Sequence, residues 1–271
     1  MKKILFILII ISIFPTVYGQ ELSEGLQAKN DGNAAFKNED YVGAISKWEK
    51  YLNSDEESAA ADENTKSLYV KAFKYAADDF MIKKKNYSSA YSYYEKYVDK
   101  AGDEAKNNGE ITYKMAYCAN KMNKDDLALS LYQKCEELGY KGDVCVLYIA
   151  NIYKNTGDDA KMITVLKDGM KKYATSKNKS KMAKMLTIPM LKDAAAPFNQ
   201  ANELAKAAST GDPAEYLSNM SKAVSKFEVA IPLFEEVLQY DPANDQAKTY
   251  INACKDNIKS FNDYKANLSK K

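Results

Sequence analysis

Four carboxylate doublets are the residues best placed by type to do chemistry: Asp78-Asp79, Asp125-Asp126, Asp158-Asp159 and Glu235-Glu236. Two carboxyls flanking a glycosidic bond can hydrolyse it, one as acid and the other as base or nucleophile. Nothing in the sequence extends these doublets into a larger constellation. The chain has no His, and every basic residue is Lys. The commonest general base and metal ligand is therefore missing. So is the Arg fork that grips carboxylates and phosphates through two bonds. No Cys or Ser pairs with a Lys in a nucleophile–base motif. No cysteine spacing matches a zinc site, no Asp-x-Asp-x-Asp-Gly loop would hold calcium, and no Gly-rich loop would cradle a phosphate. The doublets at 78 and 125 read more simply as helix-end or exposed acids. Asp158-Asp159 opens a helix, where the backbone dipole favours acid. No catalytic residue, cofactor or metal is expected, and a hydrolase is retained only as a third reading.

The four cysteines are Cys118, Cys135, Cys145 and Cys254. Cys135 and Cys145 flank a short turn, CEELGYKGDVC, and form the candidate disulfide if the flanking helices bring them together. Cys118 and Cys254 fit apolar helix faces as buried thiols.

Compartment matters for that bridge, because disulfides persist in oxidising surroundings. The chain opens with MKK, an apolar run from Ile4 to Phe14 broken by Ser12, and then Val17-Tyr18-Gly19 before Gln20. A basic head, a short apolar core and a small residue before the cut describe a secretory signal over residues 1–19, cleaved after Gly19. The run is short for a bilayer span, which needs about 20 residues. No Cys follows it to accept a lipid. The expected product is periplasmic or secreted, with no integral membrane segment. Removing Lys2 and Lys3 also removes the excess of 39 basic over 37 acidic residues. A balanced chain with no basic cluster gives no reason to expect nucleic acid.

The remaining side chains must be positioned by helices. Apolar residues recur at three- and four-residue steps, and Gly and Pro fall mainly between such stretches. The stretches also repeat. DYVGAISKWEKYL, NYSSAYSYYEKYV, DDLALSLYQKCEEL and FEVAIPLFEEVLQYDP each place a small residue one helical turn before an aromatic. These pairs are Ala44 and Trp48, Ala90 and Tyr94, Ala128 and Tyr132, and Ala230 and Phe234. A degenerate copy has Met162 and Leu166 at the matching places. Upstream helices carry their own small residues at Gly32, Ala77, Ala116 and Ala150. Short polar turns join each pair, at Asn38-Glu39-Asp40, Lys84-Lys85-Asn86, Asn123-Lys124-Asp125 and Thr156-Gly157-Asp158, so the paired helices run antiparallel. The KKKN loop before Tyr87 holds one extra residue.

GNAAFKNEDYVGAISKWEKYL and FEVAIPLFEEVLQYDPAND together resemble the tetratricopeptide repeat (TPR) family. Its repeat is about 34 residues. Ala128 and Met162 lie one such repeat apart, and Met162 and Ala230 two. The resemblance covers most of residues 24 to 265. It implies an all-α, right-handed α-solenoid of antiparallel helix pairs with a C-terminal capping helix. The expected organisation is TPR-like units over about 24–55, 68–100, 109–140 and 143–173 within residues 20–175. Residues 176–271 are expected to hold an irregular linker, a helix beginning at Pro197 (NQANELAKAAS), an elongated helix kinked at Pro232, and the cap. Tyr51 and Tyr97 replace the family's usual small residue, which predicts looser packing there.

The resemblance further implies a concave face lined by the first helix of each pair. Its candidate partner-binding residues are Lys29, Asn33, Lys37, Tyr113, Tyr117, Asn120, Lys121, Leu147, Asn151 and Lys154. Asn bonds a peptide backbone, Lys attracts carboxylates and Tyr adds rigid contact area. Lys29 and Asn33 are spaced like the opening half of a carboxylate clamp, although the second unit lacks the matching Asn. The leading expectation is an exported, non-enzymatic scaffold that holds a protein or peptide partner, in bacterial cell-envelope assembly or organisation. The alternative is a glycan-associated protein using tyrosines such as those of YSYYEKY.

Overall fold

The computed structural model describes residues 22–208 and 212–269. The expected leader at 1–19 and its cleavage point lie outside them. Among the described residues there are twelve helices and no strand. They fall into two compact units, Met1–Ala101 and Gly102–Lys271.

The N-terminal unit holds α1 (Glu24–Lys37), α2 (Tyr41–Leu52), α3 (Glu63–Ile82) and α4 (Tyr87–Ala101). The C-terminal unit holds a short α5 (Asp103–Lys106), then α6 (Gly109–Lys121), α7 (Asp125–Glu137), α8 (Gly142–Thr156), α9 (Asp159–Lys172), α10 (Lys179–Ala208), α11 (Pro213–Tyr240) and α12 (Asp245–Leu268). Helices pack in sequence order: α1 on α2 and α3 on α4 in the first unit, α6 on α7, α8 on α9 and α10 on α11 in the second.

The turns within pairs share one construction. A residue with positive φ precedes the residue that begins the second helix: Glu39 (φ 60), Lys85 (φ 53), Asn123 (φ 57) and Gly157 (φ 77). The next residue then donates its backbone N–H to a carbonyl in the helix just ended. Asp40 reaches Ala35, Lys124 reaches Ala119 and Asp158 reaches Tyr153, all five positions back at 2.9–3.0 Å. Asn86 reaches Phe80, one position further, which is where the extra residue of KKKN is absorbed. Asp40 and Asp158 then cap their helices by accepting from the N–H of Gly43 and Lys161. Such caps satisfy donors that a helix start leaves open.

The repeated small–aromatic pairs form the interior. Ala44, Trp48, Ala90, Tyr94, Ala128, Tyr132, Ala230 and Phe234 are all fully buried, and Leu166 with them. The close approach of α1 to α2 needs glycine at 32, because a Cβ there would lie 2.5 Å from the Trp48 ring. Tyr51 corrects the expectation of loose packing. It is fully buried, and its hydroxyl contacts Ser58 Oγ and donates to Asp62 Oδ2.

The largest departure from expectation is α10. The expected linker and the helix expected to begin at Pro197 are one 30-residue helix with Pro189 and Pro197 inside it. Met182, Leu186, Met190, Ala194, Ala201 and Ala208 are buried along it, so one apolar stripe runs through both prolines. Burial against α9 and α11 outweighs the backbone bonds that proline removes. The last helix behaves as a cap: Ala247, Ile251, Cys254 and Phe261 are buried, and its opposite face carries Lys and Asn.

Candidate functional site

In the C-terminal unit, α8 presents Val144, Leu147, Tyr148 and Asn151 at helical spacing to one side. The start of α10 and the turn before it present Asn178, Lys181 and Met185 opposite them. Together they line a cleft of about 270 Å³. Met185 also lines a second hollow of about 230 Å³ with Lys154, Asp159, Met162, Ile188, Pro189 and Lys192. Leu147, Tyr148 and Met185 supply apolar contact, and Ile188 is 60 % exposed. Lys154, Lys181 and Lys192 are exposed, and each lacks an ion pair among the described residues. Against three ammonium groups the lining sets one carboxylate, Asp159.

The rim is held by Asp143 in the first turn of α8. Its Oδ2 accepts from Ser176 Oγ at 2.5 Å and from Asn178 Nδ2 at 2.8 Å. The Ser176 hydroxyl, then Asn178 and the Val144 N–H, hold this carboxyl below the usual carboxylate range. These bonds tie the loop before α10 to the start of α8 and fix the width of the cleft at that end.

The floor is an aromatic cluster. Tyr148 stacks on Tyr132 with centroids 4.9 Å apart and planes 3° from parallel. Tyr113 and Tyr117 meet Tyr148 edge-on at 6.2 and 6.4 Å. Tyr132 is fully buried, and its hydroxyl has no hydrogen-bond partner among the described residues. Burial, with Tyr148 and Tyr113 next in effect, raises its pKa far above the ordinary phenol value. A ring stacked on one neighbour and met by two others is a rigid contact surface, which lowers the entropy lost on binding.

The candidate residues divide sharply. Leu147 and Asn151 line the first cleft and Lys154 the second. Tyr113 and Tyr117 support Tyr148 from behind. Asn120 is half-buried, and the Lys121 ammonium sits 5.4 Å from the centre of the Tyr117 ring; neither lines a cleft. Lys29, Asn33 and Lys37 belong to the N-terminal unit. Lys29 Nζ pairs with Asp62 Oδ2 at 2.7 Å and lies over the Tyr51 ring. Asn33 Oδ1 accepts from Trp48 Nε1 at 3.2 Å. The expected clamp half is thus engaged in holding its own unit together, and of the three only Lys37 projects as an exposed charge.

Sequence reasoning misses Asn178, Lys181, Met185, Ile188 and Lys192. All lie in or beside α10, which the two prolines conceal. The four-residue steps of Met182, Leu186, Met190 and Ala194 are the signal that could have found it.

Several members of the carboxylate doublets are engaged structurally. Asp78 accepts from Tyr94 and Lys74, Asp79 pairs with Lys83 and Lys84, and Glu236 pairs with Lys167. Asp125 and Asp126 lie in the first turn of α7. Within YSYYEKY, Tyr94 is fully buried and Tyr93 stacks on Phe80. Among the described residues no group of three or more His, Cys, Asp and Glu could hold a metal. No helix among them is long and apolar enough to cross a membrane. Cys135 and Cys145 are both buried thiols.

The chain matches no family model and no curated protein. Several solved helical-repeat structures are similar in outline. A TPR repeats protein from Bacteroides fragilis shares 18% identity over 85% of this chain and 97% of its own, with a TM-score of 0.46. The MamA protein shares 15% identity over 80% and 96%, with a TM-score of 0.41. YrrB, a TPR protein described as having an unusual peptide-binding site, shares 16% over 83% and 90%, at 0.36. With every score below 0.5, these likenesses add nothing to what the helix pairs themselves show.

Proposed function

We propose that this protein is an exported, non-catalytic scaffold of TPR type, and that the cleft between α8 and α10 holds an extended segment of a protein partner. The carrying observation is the combination of a clamped tyrosine floor, apolar walls and three lysines without ion-pair partners. A peptide that sets an apolar side chain against Leu147, Tyr148 and Met185 would leave its backbone within reach of Asn151, whose amide both donates and accepts. Carboxylates on that peptide would be drawn to Lys181, Lys154 and Lys192. No covalent step is involved. Export rests on the first nineteen residues, and a role in assembling or organising a cell envelope follows from export together with a scaffold fold.

Peptide display on the purified chain tests the cleft. Selected peptides should contain acidic and large apolar residues. They should bind at least about tenfold more weakly, or 1.4 kcal/mol, to an Asn151→Ala, Lys181→Glu variant whose melting is unchanged. Selected peptides that bind both proteins equally would sink the proposal. Export is tested separately: the protein recovered outside the cytoplasm should begin at Gln20.

A further inference from the structure

The turn between α7 and α8 brings two buried sulfurs to one oxygen. Gly139, with φ 72, ends α7, and the Tyr140 N–H donates back to the Cys135 carbonyl at 3.1 Å. Lys141 then takes the left-handed conformation (φ 49, ψ 40) at the head of α8. This folding turns the Tyr140 carbonyl inward. Cys135 Sγ donates to it at 3.1 Å and Cys145 Sγ at 3.7 Å, so one oxygen holds both sulfurs.

We propose that Cys135 and Cys145 are an oxidisable pair that closes into a disulfide clip across the α7–α8 turn. The reaction is exchange with a disulfide donor such as oxidised glutathione. Both thiols lose their protons, one sulfur–sulfur bond forms within the protein, the donor's bond breaks, and two donor thiols leave. The clip sits one helical turn from the groove floor on both helices, since Tyr132 precedes Cys135 and Tyr148 follows Cys145 by three residues each. Helical residues three apart share a face, so the bond fastens the same interface that the tyrosine stack holds. This inference does not depend on the peptide-binding reading.

Burial raises the pKa of both thiols above the ordinary cysteine value, most strongly for Cys145. Because the thiolate is the attacking species, exchange in the folded chain is slow. The bond is set while the chain folds and is afterwards shielded. Cys254 has a pKa pushed up to about 11 by burial and lies in α12, and Cys118 lies in α6.

The test refolds the purified chain in an oxidising glutathione buffer, alkylates remaining thiols and maps the linked peptides by mass spectrometry. Cys135 should be joined to Cys145, with Cys118 and Cys254 alkylated. Native reduction should be much slower than reduction in denaturant, and should lower Tm by on the order of 5 °C. A Cys135→Ser variant should show no redox dependence of Tm. Four alkylated cysteines under these conditions, or linkage through Cys118 or Cys254, would overturn the proposal.

Discussion

Helices α1 and α8 open their pairs in the two units, and each carries Asn and Lys where its first-helix face would meet a ligand. Their use is opposite. On α1, Lys29 and Asn33 are engaged within their own unit, with Asp62 and with the Trp48 indole. On α8, Asn151 and Lys154 line hollows. The difference lies in the segment that leaves each pair. After α2 the chain continues through residues 53–62, which cover Tyr51 and deliver Asp62 to Lys29. After α9 the chain enters α10, which stands opposite α8 and leaves a cleft. Asn33 and Asn151, one residue type at matching helical positions, are therefore structural in one place and available in another, and the connecting segment decides which.

Removing Asp62 is the strongest way to break this contrast. Its carboxylate accepts from Lys29, Tyr51 and Thr65. Asp62→Ala leaves those donors without it and should cost about 3 kcal/mol. Trp48 is the sole tryptophan and sits in this unit, so its fluorescence reads the loss directly. A denaturation midpoint at Trp48 that does not move would show that the α1 residues are not structural.

Acid gives a graded version of the same test. The hydrogen bond from Lys29 is the largest influence holding the Asp62 carboxyl well below the usual range. A depressed folded-state pKa means the stabilisation is fully present above the unfolded value of about 3.9. It is lost as pH falls through the folded value. The Lys29 pKa is raised, chiefly by Asp62; its share is present below about 10.4 and is lost as pH rises through the folded value. The Trp48 midpoint should therefore fall at both extremes, and Asp62→Asn should flatten both limbs. Slopes unchanged by that substitution would count against the ion pair.

Asn33→Ala should cost about 1–2 kcal/mol, because it leaves the buried indole N–H without its acceptor. The denaturation midpoint at Trp48 checks this as well. At the small end, Asn151→Ala and Lys181→Ala should each change stability by no more than about 0.5 kcal/mol by thermal melting. A larger loss on α8 would erase the contrast from the other side.

Much of the architecture is legible in the residues themselves. The small–aromatic pairs are marked as packing positions by their spacing and are fully buried, because a four-residue step on a helix can face only one way. The turns are marked by their polar residues, and the extra residue of KKKN appears as a backbone bond that spans six positions where the other turns span five. The first half of α10, and its continuity through Pro197, are not legible, since Pro189 and Pro197 are strong local break signals and only tertiary burial overrides them. The same concealment hides half of the cleft. Lys29 escapes for a related reason: its partner lies across a connecting segment, and no local pattern announces an ion pair closed at that distance in sequence.

The prolines of α10 also alter its main chain. Proline has no N–H, so Pro189 cannot donate to the carbonyl four residues earlier, and that carbonyl belongs to Met185, which lines both hollows. At position 189 the helix therefore offers no N–H to anything beside it. A groove lined by a few lysines and apolar side chains would select partners by extended shape and charge, and would tolerate wide variation in their sequences.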